Sequence, residues 1–261
     1  METKERPLVS VVMPAYKAEK TIEAAIESVL RQSWEALELI VVDDASPDTT
    51  GEILHRISAS DPRVSWYRNE TNRGVSYNRN FGVRKAAGEW IAFLDSDDMW
   101  EPDKLEKQLR LAAEHPEAGL FFTGSSFIDS EGRQNSYILR VPEKVDFSRL
   151  LGQNVISCSS VLVRKDRMLA HPMGNDSIHE DFAVWLEILR EEPYAYAVNE
   201  PLLIYRVSRS SKSGNKLRAA KMTFQTYRAE KVPFPLTLWK GVLYTLRGIR
   251  KFRRIGASWV E

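Results

Sequence analysis

Short apolar runs that alternate with helical segments constrain the fold of this chain more than any other feature of its sequence. Four runs in the first hundred residues are predicted to be strands, at residues 8–13, 37–42, 64–67 and 90–94. Helices are predicted between them, over residues 22–30, around residues 53–57 and over residues 75–87. Such alternation is typical of a mainly parallel sheet with right-handed crossovers. We therefore expect an α/β fold with helices on both faces of the sheet.

The second half of the chain is less regular. Apolar residues Phe182, Trp185, Leu186 and Leu189 mark an amphipathic helix that begins at His179-Glu180-Asp181. We place a soft boundary between the two halves near residue 100 and the start of a C-terminal tail near residue 233. The other elements predicted in this half are a helix over residues 102–115 and strands at residues 119–123, 137–141, 159–163, 194–198 and 202–206.

Composition narrows the class of protein. The 261 residues, 43% of them hydrophobic, suffice for one large α/β domain or for two lobes that share a sheet. Lys and Arg number 37 against 36 Asp and Glu, so the net charge of +1 predicts no nucleic-acid partner. The single cysteine, Cys158, excludes an intramolecular disulfide and fits a reducing cytoplasm. We expect neither a secretory signal, because Pro14 soon breaks the first apolar run, nor a transmembrane helix.

Carboxylates follow two of the predicted strands at the point where each strand ends. The pair Asp43-Asp44 follows the second strand, and Asp95-Ser96-Asp97-Asp98 follows the fourth. In open parallel sheets, ligands bind beyond the carboxyl ends of the strands, so we expect these groups to share one edge. Their mutual repulsion is costly unless a cation offsets it, and such oxygen ligands suit Mg²⁺ or Mn²⁺. The alternative for an isolated acidic turn is plain solvation, and the second acidic pair argues against it.

Asp43 and Asp44 have an alternative reading of their own, as caps for the next helix. Asp48 or Thr49 lies closer to the predicted start of that helix and fits the capping role better. A carboxylate at the strand end can instead accept a hydrogen bond from a nucleobase imide or a ribose hydroxyl.

Longer motifs now make a family resemblance visible. The run PAY, then VVDDAS with Asp48 close behind, then NRGVSYNRNFGVRKAAGEWIAFLDSDDMWEPDKLEKQ resembles the family 2 glycosyltransferases, which have the GT-A fold. The resemblance covers residues 7–110 in the order and spacing of that family. HEDFAVWLEIL resembles the family's acidic motif at the start of the acceptor-side helix, and EPLLIYRVSRSSKS its closing strand and loop. It implies a Rossmann-like nucleotide-sugar-binding half at residues 1–100 and an acceptor-binding half of the same domain at residues 101–232.

The resemblance also implies roles for individual residues. Asp181 matches the catalytic base, with Glu180 and Trp185 on the acceptor side. For Asp181 the alternative is a carboxylate favoured by the helix dipole, and for Arg79 it is a position on a helix surface. Asp95 and Asp97 would contact ribose, sugar and metal. The residues implied to surround the nucleotide-sugar are Pro14, Ala15, Tyr16, Asp43, Asp44, Asn72, Gly74, Arg79 and Asp95, with Asp97 and Asp98 as metal ligands.

One feature departs from the family pattern. Many relatives have a histidine after the Tyr-Arg pair of the closing loop, where this chain reads Tyr205-Arg206-Val207-Ser208. The departure implies a metal held by Asp97, Asp98 and substrate. Arg206, Arg209 or Lys212 would then contact the diphosphate, unless they are solvated surface charges.

The tail from residue 233 to residue 261 reads as a basic amphipathic helix. Such a helix suits an anionic membrane surface; the alternative is a helix packed on the protein's own core. The apolar face would carry Trp239, Val242, Leu243, Leu246 and Ile249, with Trp259 near the end and a basic stripe of Arg247, Arg250, Lys251 and Arg254.

The function that we expect is an inverting, metal-dependent transfer from a UDP-sugar, because a single base without a nucleophilic carboxylate predicts direct displacement. The acceptor-side sequence is similar to transferases of O-antigen, capsular and teichuronic-type polysaccharides. That similarity implies a polyprenyl-diphosphate-linked glycan acceptor and a cytoplasmic enzyme, peripheral on the inner face of the bacterial cell membrane. Two alternatives stay open. A sugar-phosphate nucleotidyltransferase usually has a Gly-rich loop where this chain reads PAYKAEK, and a non-catalytic nucleotide-sugar-binding protein would not need Asp181.

Overall fold

A computed structural model of the chain describes residues 6–174, 176–207 and 216–259. Its strands are β1 (Val9–Ala15), β2 (Leu37–Asp43), β3 (Val64–Arg68), β4 (Trp90–Phe93), β5 (Met99–Trp100), β6 (Leu120–Ile128), β7 (Gln134–Leu139), β8 (Lys144–Val145), β9 (Leu162–Arg164) and β10 (Ala195–Arg206). Its helices are α1 (Ile22–Leu30), α2 (Thr50–Ser60), α3 (Val75–Lys85), α4 (Lys104–Glu114), α5 (Phe147–Gly152), α6 (Lys165–Ala170), α7 (Glu180–Glu191), α8 (Lys216–Ala229) and α9 (Phe234–Gly256), with a short 3-10 helix at Cys158–Ser160.

One sheet runs through both halves of the chain. Its strand order is β3-β2-β1-β4-β9-β6-β10-β5, with β7 paired to β6 and β8 to β10. Strands β1 to β4 pair in parallel, as the alternation of strands and helices predicts. Strand β9 runs antiparallel to both β4 and β6, and so joins the two halves. The predicted α/β class and its mainly parallel first half are confirmed.

Both faces of the sheet are buried. Val12 of β1 belongs to one apolar cluster, whereas its neighbours Val11 and Met13 belong to the other. Successive side chains of a strand point to opposite faces, so helices must cover the sheet on both sides. This explains why β1, β2 and β4 are near-continuous apolar runs in the sequence.

Strand β1 extends past the proline that was expected to end it. Pro14 lies within β1, opposite Val42 of β2. Pairing between β1 and β4 stops at Val12 and Phe93, and the Ala15 carbonyl already accepts the N–H of Asp44 on the β2 side. The amide hydrogen that Pro14 lacks therefore has no partner strand on the β4 side, which is why the proline is tolerated.

Helix α9 packs one face on the domain. The Tyr244 ring lies 5.9 Å from the Phe182 ring, measured between centroids. Lys240 Nζ donates to the Ser148 carbonyl at 3.1 Å and Arg247 Nη1 to the Gly152 carbonyl at 3.2 Å, so Arg247 stabilises α5 instead of belonging only to a free basic stripe. Trp259 forms an antiparallel bridge with Asn135 of β7.

The opposite face of α9 is open to solvent. Phe234, Trp239 and Val242 are 68%, 64% and 52% exposed. One face of α9 therefore packs on the protein's own core, as one interpretation of the tail predicts. The opposite face exposes apolar side chains, as the membrane-surface interpretation requires. The side chains of Leu246, Ile249 and Lys251 lie outside the described part of the molecule. In that part, no helix is both long and apolar enough to span a bilayer.

Candidate active site

A cleft of about 580 Å³ opens at the carboxyl edge of β1, β2 and β4, between the N-termini of α3 and α7. It brings together side chains that are far apart in the sequence. The residues expected at the site that line this cleft are Pro14, Ala15, Tyr16, Asp44, Asn72, Gly74, Arg79, Asp95, Asp97, Asp98, Glu180 and Asp181.

Asp43 and Trp185, also expected at the site, do not line the cleft. Asp43 is fully buried, accepts the Ser46 N–H at 3.0 Å and pairs with Arg68 at 3.3 Å, so it supports the strand end from behind. Trp185 is fully buried in the core, 6.5 Å from the Phe93 ring between centroids. The expectation that Trp185 faces the acceptor is wrong, because it lies on the apolar face of α7 that packs against the sheet.

The Asp44 carboxylate organises the loop that precedes α3. It accepts the Arg73 and Gly74 N–H groups at 2.7 and 2.9 Å and the Asn69 side-chain amide at 2.7 Å. Gly74 has a φ of +85°, a conformation that a side chain would strain. A carboxylate has about four acceptor sites, so these bonds leave Asp44 room for one further donor in the cleft.

The acidic turn after β4 concentrates negative charge in a buried place. Burial and then the Asp95 charge raise the pKa of Asp97 to about 6. Burial, and next the charges of Asp97 and Asp95, raise the pKa of Asp98 well above its usual range. Asp98 Oδ1 accepts the Arg206 N–H at 2.9 Å, and Oδ2 has no hydrogen-bond partner within the described residues.

These carboxylates fit a divalent cation bound jointly with substrate. No group of three or more His, Cys, Asp or Glu side chains among the described residues is arranged to hold a metal alone. Mg²⁺, however, is commonly bound by one or two carboxylates plus substrate phosphates. The Asp98 oxygen without a partner and the raised pKa of Asp97 are what a site awaiting positive charge would show.

Arg79 links the acidic turn to α7. The residue is 4% exposed, and its guanidinium donates to Asp95 at 2.6 Å and to Glu180 at 3.2 Å. Burial alone would lower the pKa of Arg79, but the Asp95 carboxylate and the weaker influence of Glu180 hold it well above its usual range. Arg79 is therefore a buried ion-pair partner of two cleft carboxylates, not a helix-surface residue.

Asp181 lies in the first turn of α7, partly exposed in the cleft. Its Oδ1 accepts the Phe182 N–H at 2.7 Å. The neighbouring Glu180 is bonded to Arg79, which distinguishes the two adjacent carboxylates.

Arg206 has a structural task in this protein. Its Nε donates to the Asp97 carbonyl at 2.9 Å and its Nη1 to the Asp129 carbonyl at 3.0 Å. These bonds fix the position of the acidic turn. A diphosphate contact was expected for Arg206, whereas its side chain contacts backbone carbonyls of the protein. Arg209 and Lys212 lie outside the described residues.

Sequence reasoning missed Asp176, which lines the same cleft. Its carboxylate accepts the Val75 N–H at 3.0 Å, the Ser76 N–H at 3.1 Å and the Ser76 hydroxyl at 2.5 Å. It therefore caps α3 from a loop about a hundred residues further along the chain. No local pattern around Asp176 or Gly74 signals this contact.

The sheet, with its acidic cleft at the carboxyl edge, has the GT-A fold of solved glycosyltransferases. The mannosyltransferase PcManGT from Pyrobaculum calidifontis, in complex with GDP-Man and Mn²⁺, superposes with a TM-score of 0.71 at 19% identity, over 92% of this chain and 70% of that one. S. aureus TarS in complex with UDP-GlcNAc gives a TM-score of 0.69 at 19% identity over 85% of this chain, which spans 66% of the TarS chain.

The chain belongs to glycosyl transferase family 2, whose model matches residues 10–168. It is 37% identical to the putative teichuronic acid biosynthesis glycosyltransferase TuaG of Bacillus subtilis (strain 168), over 94% of this chain and 98% of the relative. It is 36% identical to the UDP-Glc:alpha-D-GlcNAc-diphosphoundecaprenol beta-1,3-glucosyltransferase WfgD of Escherichia coli, over 82% of this chain and 83% of the relative.

Proposed function

We propose that this chain is an inverting glycosyltransferase that moves a sugar from a UDP-sugar to a hydroxyl of a growing, lipid-linked surface polysaccharide. The observation that carries the proposal is that Asp44, the acidic turn and Asp181 meet in one cleft, although they lie at the ends of three different elements. On this proposal residues 1–100 bind the nucleotide-sugar and residues 101–232 bind the acceptor.

Asp181 is the proposed catalytic base. An acceptor hydroxyl is a poor nucleophile at neutral pH and needs a carboxylate to take its proton as it attacks. Glu180 and Asp95 are both held by Arg79, so of the two carboxylates that α7 places in the cleft Asp181 is the one left for that proton. One base and direct attack at the anomeric carbon invert its configuration.

The donor contacts follow from the bonds already described. Asp44 has acceptor capacity for the imide N–H of uracil, and the exposed Tyr16 ring can cover the base. Asp97 and Asp98 would hold Mg²⁺ or Mn²⁺, which would neutralise charge on the departing diphosphate. Arg79 keeps Asp95 in place at 2.6 Å beside that turn.

A panel of nucleotide-sugars measured by thermal shift tests the donor. A ligand at 100 times its Kd should stabilise the folded chain by about 2.7 kcal/mol. UDP-sugars should raise the melting temperature more than GDP-sugars, and Mn²⁺ should enlarge the rise. A larger shift with GDP-mannose, or none with any UDP-sugar, would contradict the proposed donor.

The base is tested by Asp181→Asn in a transfer assay. Loss of the general base should lower kcat by about 10²–10⁴-fold. Glu191→Gln removes a carboxylate from the exposed end of the same helix and should leave kcat unchanged. Full transfer by Asp181→Asn would remove the assignment. The anomeric configuration of the product, read by NMR, should be opposite to that of the donor.

The name of WfgD supports a diphosphate-linked lipid acceptor, and an enzyme that used such an acceptor would work at a membrane surface. We propose that α9 lies on the anionic inner face of the bacterial cell membrane. Its exposed Phe234, Trp239 and Val242 would enter the interface, with the exposed Arg250 and Arg254 facing lipid phosphates.

Vesicle flotation tests this surface. The double variant Trp239→Ser/Val242→Ser should bind vesicles that contain anionic lipid at least about tenfold more weakly, since the two side chains together bury apolar area worth more than about 1.4 kcal/mol. Leu169→Ser is the matched control, because Leu169 is 51% exposed on α6. Equal flotation of the double variant and the wild type would exclude α9 as the membrane surface.

A further inference from the structure

The N-terminus of α7 is held from outside its own helix. Its N-cap residue, His179, makes no side-chain capping bond. The His179 N–H instead donates to the Thr226 hydroxyl of α8 at 3.1 Å. That hydroxyl donates in turn to the Met222 carbonyl at 2.9 Å, and Thr226 is fully buried. With one bond accepted and one donated, the hydroxyl has a fixed orientation and fixes the start of α7.

Aromatic rings from the two C-terminal helices enclose the residue that follows Asp181. The Phe182 ring lies 6.0 Å from Tyr227 of α8, edge to face, and 5.9 Å from Tyr244 of α9. Tyr227 donates its phenol hydrogen to the Leu151 carbonyl of α5, which anchors this cluster to the domain. Packed aromatic pairs of this kind prefer defined geometries, so they resist rotation of the first turn of α7.

The charge of Asp181 also affects the pKa of Tyr244. Burial raises the pKa of the Tyr244 phenol, and the Asp181 charge is the next contribution to that rise. The first turn of α7 is thus bordered by Arg79 on the cleft side and by α8 and α9 on the other.

We infer that α8 and α9 position the catalytic base, with Thr226 and Tyr244 as its positioning residues. This inference rests on the proposed function, in which Asp181 takes the acceptor proton. Displacement of a catalytic group by about 1 Å can cost about 100-fold in rate. The task is separate from membrane binding, because Thr226 and Tyr244 lie on the packed side of the pair and Trp239 and Val242 on the exposed side.

The test compares Thr226→Val, which keeps the shape and removes the hydroxyl, with Thr226→Ser, which keeps the hydroxyl. Transfer is measured without vesicles, on GlcNAc-diphosphate attached to a short alkyl chain, with the UDP-sugar selected by thermal shift. Thr226→Val should lower kcat about 10–100-fold and leave the UDP Kd within about twofold. Thr226→Ser should restore kcat to within about threefold of wild type.

Thr237→Val is the matched control. Thr237 is a buried threonine of α9 whose hydroxyl donates to the Val232 carbonyl at 3.1 Å. The Thr237→Val variant should lower the melting temperature about as much as Thr226→Val does, while its kcat stays at the wild-type value. Tyr244→Leu removes the ring that lies 5.9 Å from the Phe182 ring, and it should lower kcat about 3–10-fold even if Thr226→Val does not fold.

Folded Thr226→Val and Tyr244→Leu proteins with wild-type kcat would overturn the inference. Asp181→Asn, assayed in parallel, separates this failure from that of the proposed function. If Asp181→Asn is inactive and the two other variants are fully active, only the positioning role is wrong. If Asp181→Asn transfers sugar at the wild-type rate, the base assignment itself falls, and the positioning role falls with it.

Discussion

At the scale of single residues, the acidic turn after β4 holds charges that the folded chain alone does not neutralise. Asp97 and Asp98 are both pushed towards their protonated forms by burial and by neighbouring carboxylates. Arg79 forms ion pairs with Asp95 and Glu180, and within the described residues it forms none with Asp97 or Asp98. The site is therefore less stable than a neutral version of itself until a cation and a donor bind.

Asp97→Asn should stabilise the ligand-free protein at neutral pH. The pKa of Asp97 is about 6 when folded and 3.8 ordinarily, so between these values the folded chain holds a proton that the unfolded chain has lost. Stability attributable to Asp97 therefore falls as the pH rises from about 4 to about 6. In EDTA at pH 7.5, urea unfolding should show a gain of up to about 3 kcal/mol for Asp97→Asn.

The gain should vanish at pH 4, where Asp97 is largely protonated when folded. Asp166→Asn, at an exposed position of α6, should show no such pH dependence. A variant that is less stable than the wild type at pH 7.5 would refute this account of the acidic turn. Mn²⁺ with donor should stabilise the wild type but not Asp97→Asn.

Trp185→Phe should lower stability and leave both Michaelis constants unchanged. Trp185 is fully buried in the core, so the smaller ring leaves unfilled volume that costs about 1–3 kcal/mol. Urea unfolding and steady-state kinetics measure the two effects. Trp239→Phe, at a 64% exposed position, should change stability by less than about 0.5 kcal/mol. A raised acceptor KM in Trp185→Phe would contradict this account and show that Trp185 contributes to acceptor binding.

At the scale of elements, local periodicity predicted the first half of the fold well and the second half less well. Strands β1, β2 and β4 are apolar runs buried on both faces, so each can be recognised from its own residues. Strand β10 was predicted as two strands. It is one, with its register against β6 shifting between Val198 and Leu203, where Glu200 and Pro201 interrupt the apolar pattern.

The residues of the candidate site likewise divide into those that could be predicted from the sequence and those that could not. Asp44 and Asp97 could be predicted because each follows the end of a strand, and Asp181 was implied by the family resemblance. The cap of α3 by Asp176 could not, because it joins residues a hundred positions apart. Trp185 was implied by the family resemblance to lie on the acceptor side, whereas in the structure it is fully buried in the core.

Gly74→Ala should be destabilising for two separable reasons. Gly74 has a φ of +85°, and an added Cβ would lie 2.1 Å from Asp176 Oδ2. Gly132 has a φ of +84° with open space around it, so Gly132→Ala reports backbone strain alone, about 1 kcal/mol. Gly74→Ala should cost at least about 1 kcal/mol more than this control in urea unfolding.

A double-mutant cycle isolates the contact. Asp176→Ala removes the carboxylate that an alanine at position 74 would meet, so the double variant should lose less stability than the sum of the single variants. Strict additivity would mean that Asp176 does not lie against Gly74 in solution.

At the scale of the whole molecule, the halves and the C-terminal helices form one folding unit. The sheet passes from β4 through β9 to β6, and Tyr244 of α9 packs with Phe182 of α7. The Ile255 carbonyl accepts the Asn135 side-chain amide at 2.9 Å, which joins the end of α9 to β7. The family match ends at residue 168, so the base and the helices around it lie beyond the matched part.

Unfolding of the whole chain should therefore be a single cooperative transition. Urea curves followed by far-UV circular dichroism, by tryptophan fluorescence and by hydrogen exchange at the α9 amides around Tyr244 should coincide. UDP with Mn²⁺ should move all of them together, although the nucleotide contacts residues of the first half, because ligand binding stabilises every part of one cooperative unit. An α9 transition at lower urea, insensitive to UDP, would show a helix that folds apart from the domain and could not hold Asp181 in position.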